Sequence, residues 1–296
     1  MRRRQFVKHT GLIASVVMLP SCIATTSSAK YRMGLQLFTI RDAMDVDPIG
    51  TLHKVAAIGY QDLETYGYDH EQDMYYGFKS AELLKRLTDI GLTTSSGHYG
   101  LADYLDRPKG EMERYVDQCI VGAKALGQSY ITWPWLPPEK RNLESFKALP
   151  DVLNAIGEQV NNAGLRFAYH NHDFEFMEFD GETGYDIITR GTDHALVKLQ
   201  LDMYWAAHSS SLSSAELIAR DPKRFVMWHI KDMDRVTRDY TELGNGSIDY
   251  HEVLSEASQE GLEYYFIEQG GNFAVNSVQS IADSAAYFKA ELKQYL

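Results

Sequence analysis

Two histidines, His170 and His172, lie one residue apart at the end of a short apolar run that finishes at Ala168. In an extended strand, residues two apart point to the same face, so both imidazoles would face one side. Two carboxylates, Asp173 and Glu175, follow within the next three residues. Polar groups at the end of a buried strand cost free energy unless they are paired, so this segment predicts a metal ion or a polar ligand beside the histidines. For such a pair taken alone, hydrogen-bonded structural histidines are the alternative.

Three later apolar stretches end in the same way, each with one side chain that can bind a metal ion, and these are Asp202, His229 and Glu268. Imidazole nitrogens and carboxylate oxygens are common ligands of divalent ions in proteins. Together with His170, these strand ends predict one divalent metal site. Two nitrogen ligands favour Mn, Zn, Co or Fe over Mg.

Strand patterns and helix patterns alternate along the chain after its first thirty residues, as a site built from several strand ends requires. We predict eight strands, at residues 32–38, 61–64, 93–96, 129–133, 166–170, 197–202, 225–230 and 264–268. Amphipathic patterns with helical spacing lie between them. Eight such β-then-α units predict an α/β protein, a (β/α)8 TIM barrel formed by one domain over residues 31–296. A doubly wound open sheet is the alternative, but no GxGxxG motif follows the first strand.

The active site of a (β/α)8 barrel lies at the carboxyl ends of its strands. The four predicted metal ligands would end strands five to eight and converge on one half of the barrel mouth. Earlier strand ends add Glu64, His98 and Trp133, and Trp205 follows strand six. Aromatic rings beside polar groups suit a sugar, which has an apolar C–H face and polar hydroxyls, so we predict that these four residues bind substrate. Core packing is the alternative for each tryptophan.

The first thirty residues are predicted to be an export signal and a tether, outside the fold. Residues 2–8 read RRRQFVK, which is typical of a twin-arginine signal, and the apolar run at 12–19 is too short to span a bilayer. Residues 19–22 read LPSC and resemble a lipobox. We therefore expect lipidation of Cys22 and a membrane-anchored lipoprotein that faces the periplasm or the cell exterior. An uncleaved tail is the alternative.

Composition narrows the range of partners. The net charge is -12 and the isoelectric point is near 5.3, so no basic surface is expected to meet nucleic acid. A small carbohydrate fits better, and membrane contact is expected only through the lipid anchor. If Cys22 is lipidated, Cys119 is the single remaining thiol and no disulfide framework is expected. The sequence predicts no particular oligomeric state.

Several motifs resemble the xylose-isomerase-like TIM barrels. This family includes sugar-phosphate isomerases and epimerases, ketose 3-epimerases, inosose isomerases and dehydratases, and endonuclease IV. The matching stretches follow the family's order and spacing, and they are GLQLFTIRD at 34–42, GYQDLE at 59–64, SGH at 96–98, LD at 201–202, WHIKD at 228–232, GNGSID at 244–249 and FIE at 266–268. The resemblance covers the whole chain after the signal.

The resemblance implies one divalent ion held by Glu, Asp, His and Glu at four strand ends. Asp202, His229 and Glu268 match the last three ligands, whereas His170 lies where the first glutamate is expected. In the epimerase-like members both glutamates also move protons, so this replacement argues against a symmetric two-base epimerisation. Glu175 is an alternative source of the missing carboxylate.

The resemblance also implies residues that bind substrate. Trp205 lies where several relatives have a substrate-binding histidine, and His208 is an alternative to it. Arg235, six residues after His229, matches a substrate-binding arginine of the ketose epimerases. We assign Lys231, from the WHIKD motif, to the same group.

These assignments predict a metal-dependent isomerase or epimerase that acts on a sugar, keto sugar or cyclitol through an enediolate-type intermediate. Glu268 or His172 would take the carbon-bound proton, and Glu175 is a further catalytic candidate. The same intermediate also leads to elimination, so a lyase or dehydratase on a keto sugar or glycoside is one alternative. A carbohydrate-binding lipoprotein without catalytic activity is another. The acidic chain argues against an endonuclease.

Overall fold

The computed structural model describes residues 30–296, so the predicted signal and Cys22 lie outside the described residues and stay predictions. Eight parallel strands close into a barrel and confirm the predicted (β/α)8 fold. The strands are β1 Gly34–Gln36, β2 Asp62–Thr65, β3 Thr93–His98, β4 Tyr130–Trp133, β5 Arg166–His170, β6 Val197–Asp202, β7 Phe225–Ile230 and β8 Tyr264–Ile267. Each strand pairs with its neighbour in sequence, and β8 pairs with β1.

The helices of the described residues surround this barrel. They are α1 Arg41–Val46, α2 Pro48–Ile58, α3 Ser80–Asp89, α4 Lys109–Leu126, α5 Leu143–Asn162, α6 Gly184–Gly191, α7 Met203–Ser209, α8 Ser214–Ala219, α9 Tyr250–Glu256 and α10 Ser277–Tyr287. Short 3-10 turns occupy Leu37–Ile40, Leu101–Tyr104, Pro138–Lys140, Phe174–Phe176 and Lys293–Tyr295, and a π turn occupies Phe288–Leu292. Between residues 30 and 296, no helix combines the length and the apolar composition needed to cross a membrane.

Most predicted strands match the observed ones closely, but β1 is shorter than the predicted 32–38. The Gln36 side chain accepts a hydrogen bond from the backbone N–H of Phe38 at 3.1 Å. This bond starts the 3-10 turn Leu37–Ile40, so the strand ends at Gln36. Glycines after helices end them as expected, because Gly59 and Gly127 take left-handed conformations at the ends of α2 and α4.

The barrel interior is divided into an apolar layer and a polar layer. Ala168, Met227 and Phe266 belong to one small apolar cluster. Each of them lies two residues before a polar strand-end residue, and those residues are His170, His229 and Glu268. Since residues two apart share a face, the apolar cluster fills the barrel below the polar residues at its mouth.

Three two-stranded ribbons follow barrel strands at the mouth end. Met74–Tyr75 pairs with Phe78–Lys79 after β2, Glu178–Phe179 pairs with Glu182–Thr183 after β5, and Asp232–Met233 pairs with Tyr240–Thr241 after β7. We call these the β2, β5 and β7 ribbons. They lie in the loops that surround the mouth, which is where the active site of such a barrel is located.

Candidate metal and substrate site

The structure brings the four predicted metal ligands together at the barrel mouth. Asp202 and His229 are register partners on β6 and β7, and both are fully buried. His229 Nδ1 lies 2.6 Å from Glu268 Oε2, and His170 Nε2 lies 3.6 Å from Asp202 Oδ2. One ligating atom from each of Asp202, His229 and Glu268 lies within 4.8 Å of the others. Strand ends far apart in sequence therefore form one cluster of donors.

The donor atoms of this cluster are short of hydrogen bonds. Asp202 Oδ2, His229 Nδ1 and Glu268 Oε2 are buried but find no hydrogen-bond partner of acceptable geometry among residues 30–296. The same holds for His170 Nδ1. Asp202 Oδ2, His229 Nδ1 and Glu268 Oε2 do lie within 2.6 to 2.8 Å of one another or of the Lys231 ammonium, so they are ion-paired, and their convergence fits a shared ligand. A divalent ion fits this donor set.

The charge of the cluster fits a divalent ion as well. Glu64, Asp202 and Glu268 bring three buried carboxylates, and Lys231 brings one buried ammonium. When His229 is neutral, as a metal ligand must be, two negative charges are left over, which is costly in a buried site unless a cation neutralises them. One divalent ion would balance the cluster.

Asp202 is oriented by two neighbouring residues. Its Oδ1 accepts a hydrogen bond from the Trp205 N–H at 3.1 Å and thereby caps the start of α7. The Asn171 side chain binds the backbone of Asp202 on both sides, since its Oδ1 accepts from the Asp202 N–H at 3.0 Å and its Nδ2 donates to the Asp202 carbonyl. These bonds leave Oδ2 directed into the cluster.

Glu64 orients His229 from below. The separation of His229 Nε2 and Glu64 Oε2 is 2.5 Å, and Glu64 also accepts hydrogen bonds from Gln36 Nε2 and Gln200 Nε2, both at 2.7 Å. Since this carboxylate orients the ring through Nε2–H, Nδ1 would face the donor cluster with its lone pair once His229 is neutral. We predicted Glu64 to bind substrate. In the structure the carboxylate of Glu64 is engaged by Gln36, Gln200 and His229, and its contact with substrate stays a prediction.

His98 belongs to the same buried network. Its Nε2 lies 2.9 Å from Gln200 Oε1 and 3.1 Å from Glu64 Oε2, and its ring stacks on that of His229. One ligating atom from each of His98, His170 and His229 also lies within 4.8 Å of the others. The structure thus places His98 beside the metal cluster, and its contact with substrate stays a prediction.

The electrostatic environment sets the protonation of these groups. Burial alone would lower the pKa of His229, but the carboxylates of Glu64 and Glu268 raise it to about 9. Burial and the neighbouring His229 hold the pKa of His170 well below its usual value, which keeps this imidazole neutral. Burial would raise the pKa of Glu268, but Lys231 and His229 hold it well below its usual value. With no ion bound, Glu268 is therefore ionised, His229 is protonated at neutral pH and His170 is neutral, so a bound ion would displace the proton of His229.

His172 and Trp205 meet at the rim of the mouth. Their ring centroids are 5.7 Å apart, and the His172 ring lies 4.9 Å from that of His170. His172 Nδ1 and Trp205 Nε1 are both buried and have no hydrogen-bond partner in the described part of the chain. They therefore offer a proton acceptor and a donor to a substrate. His208 packs against the Trp205 ring at 5.5 Å, and its Nδ1 contacts its neighbour Ser209.

Lys231 points into the donor cluster, although we predict from the sequence that it binds substrate. Its ammonium lies 2.6 Å from Asp202 Oδ2 and 2.8 Å from Glu268 Oε2. The next residue, Asp232, accepts the backbone N–H groups of Gly244 and Gly246 at 2.9 and 3.0 Å. A Cβ on Gly246 would lie 2.0 Å from Asp232 Oδ1, which explains why the GNGSID motif needs glycine there.

Trp133 does not belong to the mouth, so its predicted role in binding substrate is wrong. It is fully buried in the apolar layer between barrel and helices, and its indole N–H donates to the Trp135 carbonyl at 2.9 Å. Its neighbour Thr132 faces inward, where its hydroxyl lies 2.9 Å from that of Ser96. Strand alternation therefore sends the Trp133 side chain outward.

Glu175 and Arg235 are not part of the cluster either. Tyr169 and the backbone N–H of His172 each donate to one carboxylate oxygen of Glu175, at 2.7 and 2.8 Å. Both carboxylate oxygens of Glu175 thus accept hydrogen bonds. Glu175 is therefore available neither as a metal ligand nor as a base. Arg235 is exposed in the turn of the β7 ribbon, and across the described residues it has no hydrogen bond or ion pair.

Sequence reasoning missed Gln36, Asn171 and Gln200, which position the ligands. The signal for Gln200 is its spacing, because it lies two residues before Asp202 and hence on the same face of β6. An uncharged amide inside an otherwise apolar strand indicates a buried hydrogen-bond partner. Gln36 carries the same signal in β1.

Comparison with known proteins gives the following similarities. Residues 52–290 match the family model described as xylose isomerase-like TIM barrel. A sugar phosphate isomerase/epimerase from Parabacteroides distasonis is 25% identical, with a TM-score of 0.78 over 93% of this chain and 99% of that one. No curated protein matches the chain.

Two further solved structures share the fold at lower identity. An IOLI protein with a bound zinc atom is 17% identical, with a TM-score of 0.70 over 90% of this chain and 99% of that one. An L-ribulose 3-epimerase is 14% identical, with a TM-score of 0.67 over 90% of this chain and 95% of that one.

Proposed function

This chain belongs to the family of xylose isomerase-like TIM barrels, and from that membership we propose that it is an isomerase or epimerase of a sugar, keto sugar or cyclitol. We propose further that it depends on one divalent metal ion and works through an enediolate-type intermediate. The observation that carries this proposal is the cluster of Asp202, His229 and Glu268, whose buried donor atoms converge without hydrogen bonds among the described residues. Structural similarity to a sugar phosphate isomerase/epimerase and to an L-ribulose 3-epimerase supports the reaction class.

Asp202, His229, Glu268 and His170 would hold the ion. When bound, it supplies Lewis-acid polarisation of a substrate carbonyl and its neighbouring hydroxyl. Glu64 keeps His229 in the tautomer that presents Nδ1, and Asn171 keeps Asp202 Oδ2 directed inward. The structural similarity to a protein with a bound zinc atom supports metal binding by this fold.

His172 and Glu268 are the proposed proton carriers. Strands β5 and β8 are separated in the barrel by β6 and β7, so the two side chains approach the cluster from different sides. His172 Nδ1 has no hydrogen bond with residues 30–296, so in the tautomer with the proton on Nε2 it can accept a proton from the substrate. The Trp205 indole N–H can donate to a substrate hydroxyl beside it.

A lyase reaction is the second candidate, and the asymmetry of the cluster favours it. The two proposed proton carriers differ in type, since His172, just after β5, is an imidazole and Glu268, just after β8, is a carboxylate. An acid and a base of different chemical type suit elimination of a β-hydroxyl, in which one group takes a proton from carbon and the other gives one to the leaving oxygen.

We also propose that the enzyme is an exported lipoprotein anchored through Cys22. Phosphorylated sugars are scarce outside the cytoplasm, so the substrate would be an unphosphorylated sugar or a derivative of one. The aromatic rim supports a neutral polar substrate, since the ring of Trp205 lies beside those of His172 and Tyr240.

The test combines metal analysis with hydrogen exchange. Protein purified from metal-replete medium should contain about one divalent ion per chain, and Asp202→Ala and His229→Ala should lose it. His194→Ala is the matched control, because His194 pairs with Asp221 in an exposed pair outside the cluster. A panel of keto sugars incubated with the enzyme in deuterated water should gain deuterium at the carbon beside the carbonyl.

Two results would contradict the proposal. Wild-type protein without metal, or metal retained in both ligand variants, would exclude the metal site. Ligand binding without deuterium exchange in the wild type would instead favour a carbohydrate-binding protein.

A further inference from the structure

Lys231 shares the two carboxylates that are proposed to hold the metal. Its ammonium lies 2.6 Å from Asp202 Oδ2 and 2.8 Å from Glu268 Oε2, and the residue is only 3% exposed. Neither oxygen has a hydrogen bond of acceptable geometry within the part of the chain that the structure describes, despite these short distances. At these distances the charge of the ammonium acts on both oxygens, whatever the direction of its N–H bonds.

The backbone fixes the lysine in this position. The Tyr250 hydroxyl on α9 contacts both peptide groups of Lys231, since it accepts from the Lys231 N–H at 3.0 Å and donates to the Lys231 carbonyl at 2.5 Å. Tyr250 is itself buried. On the other side, the Asp232 carboxylate is held by the N–H groups of Gly244 and Gly246. The contact of Lys231 with the cluster is thus built into the end of β7.

We propose that Lys231 is a positioning residue that lowers the affinity of the cluster for divalent ions and, in exchange, keeps a bound ion strongly electrophilic. This inference rests on the proposed metal site. The residue would act through Asp202 and Glu268 rather than on the substrate itself.

The charges of the cluster give the direction of the effect. A neutral residue at 231 would make the net charge of the buried groups one unit more negative. Charge interactions at a few ångströms in a buried site are strong, so removal of the ammonium should tighten divalent-ion binding by at least about tenfold. Carboxylates that already face an ammonium donate less charge to a bound ion. The ion then polarises a carbonyl more strongly.

A purely structural lysine would have the opposite effect. If Lys231 only held Asp202 and Glu268 together, its removal would let the carboxylates separate and would weaken binding. The sign of the change in metal affinity therefore distinguishes the two roles.

The experiment measures dissociation constants for Zn²⁺ and Mn²⁺ by competition with a chromophoric chelator. The first variant is Lys231→Met, which keeps the length of the side chain. If it does not fold, Lys231→Gln replaces it, because glutamine keeps hydrogen-bond donors near the two oxygens. Lys198→Met is the matched control, because it removes one positive charge at an exposed site whose ammonium binds the His194 carbonyl. Tighter binding in either Lys231 variant, with Lys198→Met equal to wild type, supports the inference.

Affinity that is unchanged or weaker in the folded Lys231 variants overturns the inference, as does equal tightening in Lys198→Met. If the wild type binds one ion and the variants bind it no better, the proposed metal site stands and only the role of Lys231 fails. If the wild type binds no ion but Lys231→Met does, the effect of the lysine is supported and the metal-dependent part of the proposed function fails.

Discussion

Replacement of Glu175 by glutamine should change how the stability of this protein depends on pH. Glu175 is completely buried, and burial raises its pKa to about 8 against the lowering effect of hydrogen bonds from Tyr169 and the His172 N–H. The folded protein therefore keeps a proton on Glu175 at pH values where the unfolded chain has lost it. The free energy of unfolding falls as pH rises from the unfolded pKa to the folded one.

The magnitude follows from the two pKa values. An exposed glutamate titrates near 4.5, so the full difference corresponds to about 5 kcal/mol, at about 1.4 kcal/mol per pH unit. Between about pH 5.5 and pH 8, this group should cost the wild type about 3 kcal/mol. Glutamine does not titrate. Its amide will disturb the hydrogen bonds from Tyr169 and His172, but by an amount that does not change with pH.

The assay is urea unfolding of wild type and Glu175→Gln in parallel, at several pH values from 5.5 to 9. The stability of the variant relative to the wild type should rise steadily up to about pH 8 and then level off. All other titrating groups are common to both proteins and cancel in the difference. A stability difference that stays constant across this range would refute the raised pKa and the account of the buried carboxyl.

Three further substitutions test the site and the anchor. Glu64→Gln keeps an acceptor for His229 Nε2 but loses the charge. Metal affinity, measured by chelator competition, should therefore fall about tenfold or more. An unchanged affinity would show that Glu64 does not orient the ligand. Glu268→Gln should lower turnover, measured by kinetics, by about two orders of magnitude. Ligand affinity, measured by titration, should change far less. Equal losses in turnover and in ligand affinity would make Glu268 only a binding residue. Cys22→Ala should release the protein from membranes and abolish palmitate labelling, and persistent labelling would exclude the lipobox.

The barrel and its donor cluster could be predicted because both depend on local sequence. Apolar strand patterns alternate with helical spacing, and glycines such as Gly59 mark the helix ends. In a closed parallel barrel all strand ends meet at one mouth, so a residue with a metal-binding side chain in the last two positions of β6 or β7 must lie there. Asp202 and His229 are such residues, and they are register partners.

The roles of Glu64, Trp133 and Lys231 could not be predicted from the local sequence. Glu64 meets His229 across 165 positions of sequence, and that contact depends on the tilt and closure of the barrel. Trp133 was assigned by its position at a strand end, but a side chain one residue from an inward-facing threonine must point outward. Lys231 follows a strand end, and its direction is fixed by Tyr250, a residue on a later helix.

The ribbons around the mouth affect how the substrate range of such an enzyme could evolve. The β2 ribbon is attached to its surroundings by its own tyrosines, since the Tyr75 hydroxyl lies 2.6 Å from that of Tyr99 and the Tyr76 hydroxyl accepts the Tyr66 N–H at 3.0 Å. It contributes no residue to the donor cluster. Insertions, deletions or exchanges in this ribbon would alter which molecules enter the barrel and leave the reaction centre intact. Selection can therefore act on the range of substrates and on the chemistry through separate parts of the gene.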